Sequence, residues 1–127
     1  MERQVSDDPV ELFGLRIAHI GINESSPEEA ERTAGQFEAL MGLARRHTAP
    51  VSTFAGTLVE VMNNGGRGTR GHIGFHVDDL PAAERWFAAR GLTVDEASRT
   101  LGPDGRTRLV YFAEELAGFA LHLTTDD

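Results

Sequence analysis

Apolar residues along this chain recur with two periods, and the periods alternate in blocks. From Ala18 to Ile22 they fall at every second position, which predicts a strand over roughly Leu15 to Ile22. From Pro27 to Met41 they fall at spacings of three and four, with Ala30, Ala34, Phe37, Leu40 and Met41 forming an apolar stripe on a helix. Strands are then expected at Arg45 to His47, Val51 to Phe54 and Thr57 to Met62. The same order begins again with a strand from His72 to Val77 and a helix from Leu80 to Arg90, whose buried stripe is Leu80, Ala83, Trp86 and Phe87. Strands at Thr93 to Ala97, Thr107 to Phe112 and Phe119 to Leu123 complete it, with Gly102-Pro103-Asp104-Gly105 as a turn between two of them.

The two blocks are an internal repeat. His19-Ile20-Gly21 recurs as His72-Ile73-Gly74, and Ala30-Glu31-Arg32 recurs at the same offset as Ala83-Glu84-Arg85. Pro27 and Pro81 open the two helices, and Gly42-Leu43 matches Gly91-Leu92 after them. The segment Gly56 to Glu60 matches Gly118 to His122 in pattern. The expected fold is α+β: two tandem βαβββ modules forming a curved, open, barrel-like mixed sheet with helices outside. Residues 1–14 are an N-terminal extension and residues 15–127 a single domain. Within it, module one covers 15–62, a connector 63–71 and module two 72–124. The connector has four glycines and two arginines, Arg67 and Arg70, both plausible contacts for an anion. It lacks the Gly-Lys-Ser/Thr ending of a P-loop and precedes a strand.

Strand alternation sorts the chemistry onto faces. His19 and Gly21 oppose Ala18, Ile20 and Ile22. Leu58, Glu60 and Met62 oppose Val59 and Val61. His72, Gly74 and His76 oppose Ile73, Phe75 and Val77, and Ala120 and His122 oppose Phe119, Leu121 and Leu123. Repetition makes His19 equivalent to His72, and Glu60 equivalent to His122. A lone strand histidine is more often a packing or surface residue than a ligand. Four donors matched in position and facing favour a divalent metal site of Zn, Ni, Mn, Fe or Co. His76 shares the His72 face as a pocket-wall residue, and His47 reads as surface.

Composition narrows the field. The 127-residue chain has no cysteine, which excludes disulfides, thiolate metal sites and a cysteine nucleophile. Twelve basic against 20 acidic residues give a net charge of −8, which opposes binding to nucleic acid or anionic membrane. No apolar run approaches the ~20 residues of a spanning helix, and Met1 to Leu12 lacks the apolar core of a signal peptide. A cytoplasmic location is the expectation.

At these residues the chain resembles the vicinal oxygen chelate superfamily, which includes glyoxalase I, methylmalonyl-CoA epimerase, extradiol dioxygenases and bleomycin-resistance proteins. The resemblance covers Leu15 to Thr124 and implies metal ligands at His19, Glu60, His72 and His122. Many members carry Glu where His122 stands. The segments Ala18 to Asn23, Phe54-Ala55-Gly56, Glu60-Val61-Met62, Gly71-His72-Ile73, Val94-Asp95-Glu96 and Gly118 to Leu123 are similar to a module fused to 2-keto-3-deoxy-6-phosphogluconate/4-hydroxy-2-oxoglutarate aldolases. That similarity suggests a metabolic neighbourhood of sugar-derived 2-oxo acids; a metal that polarises the carbonyl of such a small, anionic substrate makes lyase or isomerase chemistry the expectation, with Glu60 as the acid–base group. Arg70, His76, Phe54 and Tyr111 would contact the substrate, and Leu58, Met62 and Ala120 would line the pocket. The alternatives are a non-catalytic binding or regulatory module that partners an aldolase, and a drug-sequestering protein. Homodimerisation is expected, because open sheets leave edges that a second copy covers.

Overall fold

The computed structural model describes residues 7–126. In chain order the elements are α1 (Pro9–Phe13), β1 (Arg16–Asn23), α2 (Pro27–Met41), β2 (Arg45–Ala49), β3 (Ser52–Ala55), β4 (Val59–Met62), β5 (Gly71–His76), α3 (Leu80–Ala88), a 3-10 turn (Glu96–Ser98), β6 (Thr100–Leu101), β7 (Thr107–Tyr111) and β8 (Phe119–Thr124). Hydrogen bonding orders the strands β2-β3-β4-β1-β5-β8-β7-β6 in a mixed sheet. The α+β expectation and its twofold strand–helix–strands order hold. The chain divides into two compact units: one holds residues 19–73 and 116–120, the other the residues up to 18, 74–115 and from 121 onward.

The unit around α2 is built on small side chains. Ser26 caps the helix, its Oγ accepting the Glu29 N–H at 3.2 Å, and Pro27 fills the first turn where no N–H is needed. Gly42, at φ 72°, ends the helix and returns its N–H to the Glu38 carbonyl. Ala30 and Ala34 are fully buried against Ala55 and Val61, with Phe37, Leu43 and Val59 packed around them. Two alanines on the inner face let the helix backbone lie close to the strands. Leu43 reaches this cluster from beyond the Gly42 turn, so the last helical turn is not needed to cover it. Leu40 and Met41, expected in the buried stripe, are accordingly 78% and 67% exposed. β1 pairs parallel with β4, with Gly21 opposite Glu60, and β3 pairs antiparallel with β4, with Phe54 opposite Glu60.

The other unit is aromatic. Asp79 caps α3 through the Ala82 N–H, and Leu80, Ala83, Val77, Val110 and Leu123 are buried. Trp86 and Phe87 of the expected stripe are only half-buried. They belong to a chain of edge-to-face rings running from Phe13 through Trp86 and Phe87 to Phe112, with centroid spacings of 6.3, 5.0 and 5.2 Å. Phe13 comes from α1, a short helix within the stretch treated as an extension. Asp8 as cap, Pro9 in the first turn and Gly14 at φ 62° explain where it starts and stops.

The strand expected at Thr93 to Ala97 is reduced to a single bridge between Val94 and Phe112. The Asp95 side chain takes the Ala97 N–H and starts the 3-10 turn instead. Arg99 then fixes that turn, forking onto both carboxylate oxygens of Glu84 at 2.8 Å, binding Glu96, and donating to Thr107 Oγ1 at 2.7 Å.

The packing of α2 makes opposite predictions for two of its positions. Ala34→Leu overfills a closed interface and should cost about 1–3 kcal/mol in chemical denaturation. Leu40→Ala should change stability by less than ~0.5 kcal/mol, because the side chain faces solvent.

Candidate metal centre

Three side chains from three strands of the α2 unit converge on one point. His19 projects from β1, Glu60 from β4 and His72 from β5. The His19 and His72 Nε2 atoms are 3.2 Å apart, His72 Nε2 is 3.2 Å from Glu60 Oε1, and His19 Nε2 is 3.5 Å from the same oxygen. Hydrogen bonding alone serves such a triangle badly, since each Nε2 carries at most one proton. Donor atoms about 2.0–2.1 Å from a tetrahedral zinc ion would lie roughly 3.3–3.4 Å apart, and somewhat closer at cis positions of an octahedron. The observed edges match that spacing. Two imidazoles and one carboxylate are also a suitable donor set for a divalent transition metal.

Backbone choices create the room. A Cβ built at Gly21 would lie 1.9 Å from His72 Cε1, so only glycine admits the imidazole at that position. Gly71, at φ 121°, brings its own Cα so near β1 that a Cβ there would lie 2.2 Å from the Gly21 carbonyl oxygen. His72 is 2% exposed, and its ring stands edge-on to that of His19 at 5.2 Å. Phe54 also lies edge-on to His19, at 6.0 Å.

Ser52, absent from the sequence-derived site, completes the group: its hydroxyl donates to Glu60 Oε2 at 2.7 Å. The available signal was parity, because Ser52 and Phe54 share a face of β3 and Phe54 pairs opposite Glu60. Burial opposes ionisation of Glu60. The hydrogen bonds from His72 and Ser52, with the positive charge His19 and His72 carry when protonated, outweigh it and hold the carboxyl below its ordinary value.

His122 lies in β8, 1% exposed, paired across the ladder with Tyr111, whose ring stands edge-on at 4.9 Å. His76 is buried too, but its Nε2 faces Asp78 Oδ1 at 2.8 Å and its Nδ1 the Asp126 carbonyl at 3.0 Å, so both ring nitrogens are engaged. Arg70 is held by its N–H on the Gly118 carbonyl at 2.8 Å. Its exposed side chain runs over Gly118, where a Cβ would meet Arg70 Cδ at 2.9 Å. Leu58, expected as pocket lining, sits outside β4 and is 56% exposed, whereas Met62 is half-buried and Ala120 buried. His47 is exposed and pairs with Glu31.

No protein-family model matches this sequence, and no curated protein matches it either. Solved structures do resemble it. Methylmalonyl-CoA epimerase in complex with methylmalonyl-CoA and NH4+ superposes with a TM-score of 0.60 at 18% identity, over 85% of this chain and 92% of the other. A Streptomyces coelicolor methylmalonyl-CoA epimerase variant in complex with 2-nitronate-propionyl-CoA gives 0.57 at 19%, over 85% and 92%. A hypothetical protein from Bacillus halodurans gives 0.60 at 12%, over 89% and 95%. The chain shares its fold with methylmalonyl-CoA epimerase. At these identities the likeness extends to the fold alone. No helix among the described residues is long and apolar enough to cross a membrane.

Two outcomes test the centre. Gly21→Ala should displace His72, lowering stability by about 1–3 kcal/mol and shifting the His72 ring resonances in NMR spectra. In the metal-free protein, the depressed pKa of Glu60 means that its ionised form contributes stability above pH 4.5, its unshifted value. That contribution is lost as pH falls through the folded pKa. The stability difference between wild type and Glu60→Gln, followed by denaturant titration from pH 7 to pH 3, should therefore shrink on the acid side.

Proposed function

We propose that this chain is a divalent-metal-dependent isomerase or lyase acting on a small 2-oxo acid, with His19, Glu60, His72 and His122 as the metal ligands. The observation that carries this is the triangle of His19 Nε2, His72 Nε2 and Glu60 Oε1 at coordination spacing. His122 enters as the fourth ligand because the internal repeat makes it the counterpart of Glu60. Zn, Ni, Mn, Fe and Co all suit three imidazoles and a carboxylate.

A divalent ion held there would polarise a substrate carbonyl and acidify the adjacent C–H. Everything else falls to the chain. Neutral imidazoles and one carboxylate leave the loaded centre with a net charge of about +1, which draws an anionic oxygen donor despite the overall charge of −8. Phe54 and Met62 supply apolar walls that limit water. Arg70 and Tyr111 are the proposed substrate contacts, Arg70 through its charge. Glu60 is the single carboxylate of the set and therefore the proton-transfer group. Its lowered pKa suits a ligand better than a base, so it accepts a proton only when its hydrogen bonds loosen. Epimerase activity among proteins of this fold supports proton transfer next to a carbonyl.

A second reading is a non-catalytic small-molecule-binding or regulatory module that partners an aldolase. It is favoured by His122, which leaves one carboxylate where two would divide the acid and base roles.

The test begins with elemental analysis of protein purified without chelators, beside His72→Ala. Close to one metal per chain, lost in the variant, is expected; no metal in the wild type even after reconstitution overturns the proposal. Loaded protein is then incubated in D2O with a panel of 2-oxo acids and with a 2-methyl-branched acyl-CoA thioester. Deuterium uptake at carbon next to the carbonyl of a 2-oxo acid is the expected result. Uptake only in the thioester overturns the substrate class, and none in either favours the binding module.

A further inference from the structure

Glu60 has two oxygens with different surroundings. Oε1 faces both imidazoles, at 3.2 and 3.5 Å, whereas Oε2 is held by the Ser52 hydroxyl at 2.7 Å. Ser52 is 2% exposed and sits on β3, one of the two strands that flank β4. The ladder it forms with β4 runs without a shift, with Ser52 opposite Met62 and Phe54 opposite Glu60, while on the β2 side the register shifts between Arg46 and Ala49, the latter pairing with Ser52. A buried serine hydroxyl on a strand paired in register with β4 has one rotor and little freedom of position. Its hydrogen bond therefore fixes the rotation of the carboxylate about its terminal bond.

We infer that Ser52 is a positioning residue that makes Glu60 a one-oxygen ligand and so keeps a coordination position open for substrate. The inference rests on the proposed metal centre and deepens it. A carboxylate free to rotate can present both oxygens to a divalent ion, taking one more position than a carboxylate bound through a single oxygen. A substrate that chelates through two oxygens needs two adjacent positions. An added Glu60 oxygen would compete directly for one of them. The hydroxyl that engages Oε2 blocks this competition without touching metal or substrate, as outer-shell partners of metal ligands do.

The experiment uses the full chain loaded with Mn(II), compared as wild type, Ser52→Ala and Ser52→Thr. Water-proton relaxation reports the number of exchanging waters on the bound ion, and oxalate serves as a two-oxygen probe of adjacent open positions. Ser52→Ala is expected to bind Mn(II) with relaxation enhancement reduced by the equivalent of about one water, and to bind oxalate ~10-fold or more weakly. Ser52→Thr, which keeps the hydroxyl, should restore both readings toward wild type. Melting curves of the three proteins identify any loss that comes from unfolding alone. Unchanged relaxation and unchanged oxalate affinity in a folded, Mn(II)-loaded Ser52→Ala overturn the inference while leaving the metal centre standing. Failure of the wild type to bind Mn(II) overturns the metal centre and the inference together.

Discussion

The donor triangle depends on a missing side chain. His72 can turn its imidazole toward His19 and Glu60 because Gly21 presents bare backbone, and the smallest possible substituent there would overlap the ring. The strand that supplies one histidine thus also supplies the space for the other. Gly71 extends the same constraint by one position, closing β5 onto the Gly21 carbonyl. A side chain at either glycine would overlap atoms already in place, so a substitution must displace its neighbours.

The two units use different packing chemistry. One lays an alanine-faced helix against small aliphatic residues of β3 and β4, which brings backbones close and sets the height of Glu60 and Ser52. The other relies on interlocked rings and on the Arg99 fork, which joins α3, the 3-10 turn and β7. The sequence repeat therefore conserves backbone order without conserving how each core is filled.

Strand parity and the repeat were enough to name His19, Glu60 and His72, because a strand's two-residue period assigns a face without knowledge of neighbours. The helix from Pro27 to Met41 was equally legible, since cap, proline and terminal glycine all lie within the local sequence. What escaped was tertiary. Periodicity places Leu40 and Met41 on the apolar stripe, but only the return of Leu43 shows that their surface is already covered. Ser52 has an ordinary strand residue's appearance until the register puts it beside Glu60. The strand expected at Thr93 to Ala97 failed for a local reason, the Asp95 side chain competing for a backbone N–H. Cap chemistry at Asp8, Pro9 and Gly14 was likewise readable, yet a five-residue helix gives too little periodicity to be noticed.

The parallel pairing of β1 with β4 has a consequence in time. Antiparallel neighbours can zip from a short turn, but β1 and β4 meet only after α2, β2 and β3 have been accommodated between them. His19 and His72 are 53 residues apart in sequence, so their ring nitrogens meet only when distant segments dock. Such non-local closure is slow to nucleate. A growing or partly folded chain therefore has no assembled donor triangle to offer. The affinity for a metal becomes a property of the finished sheet, and its capture would act as a late latch against unfolding.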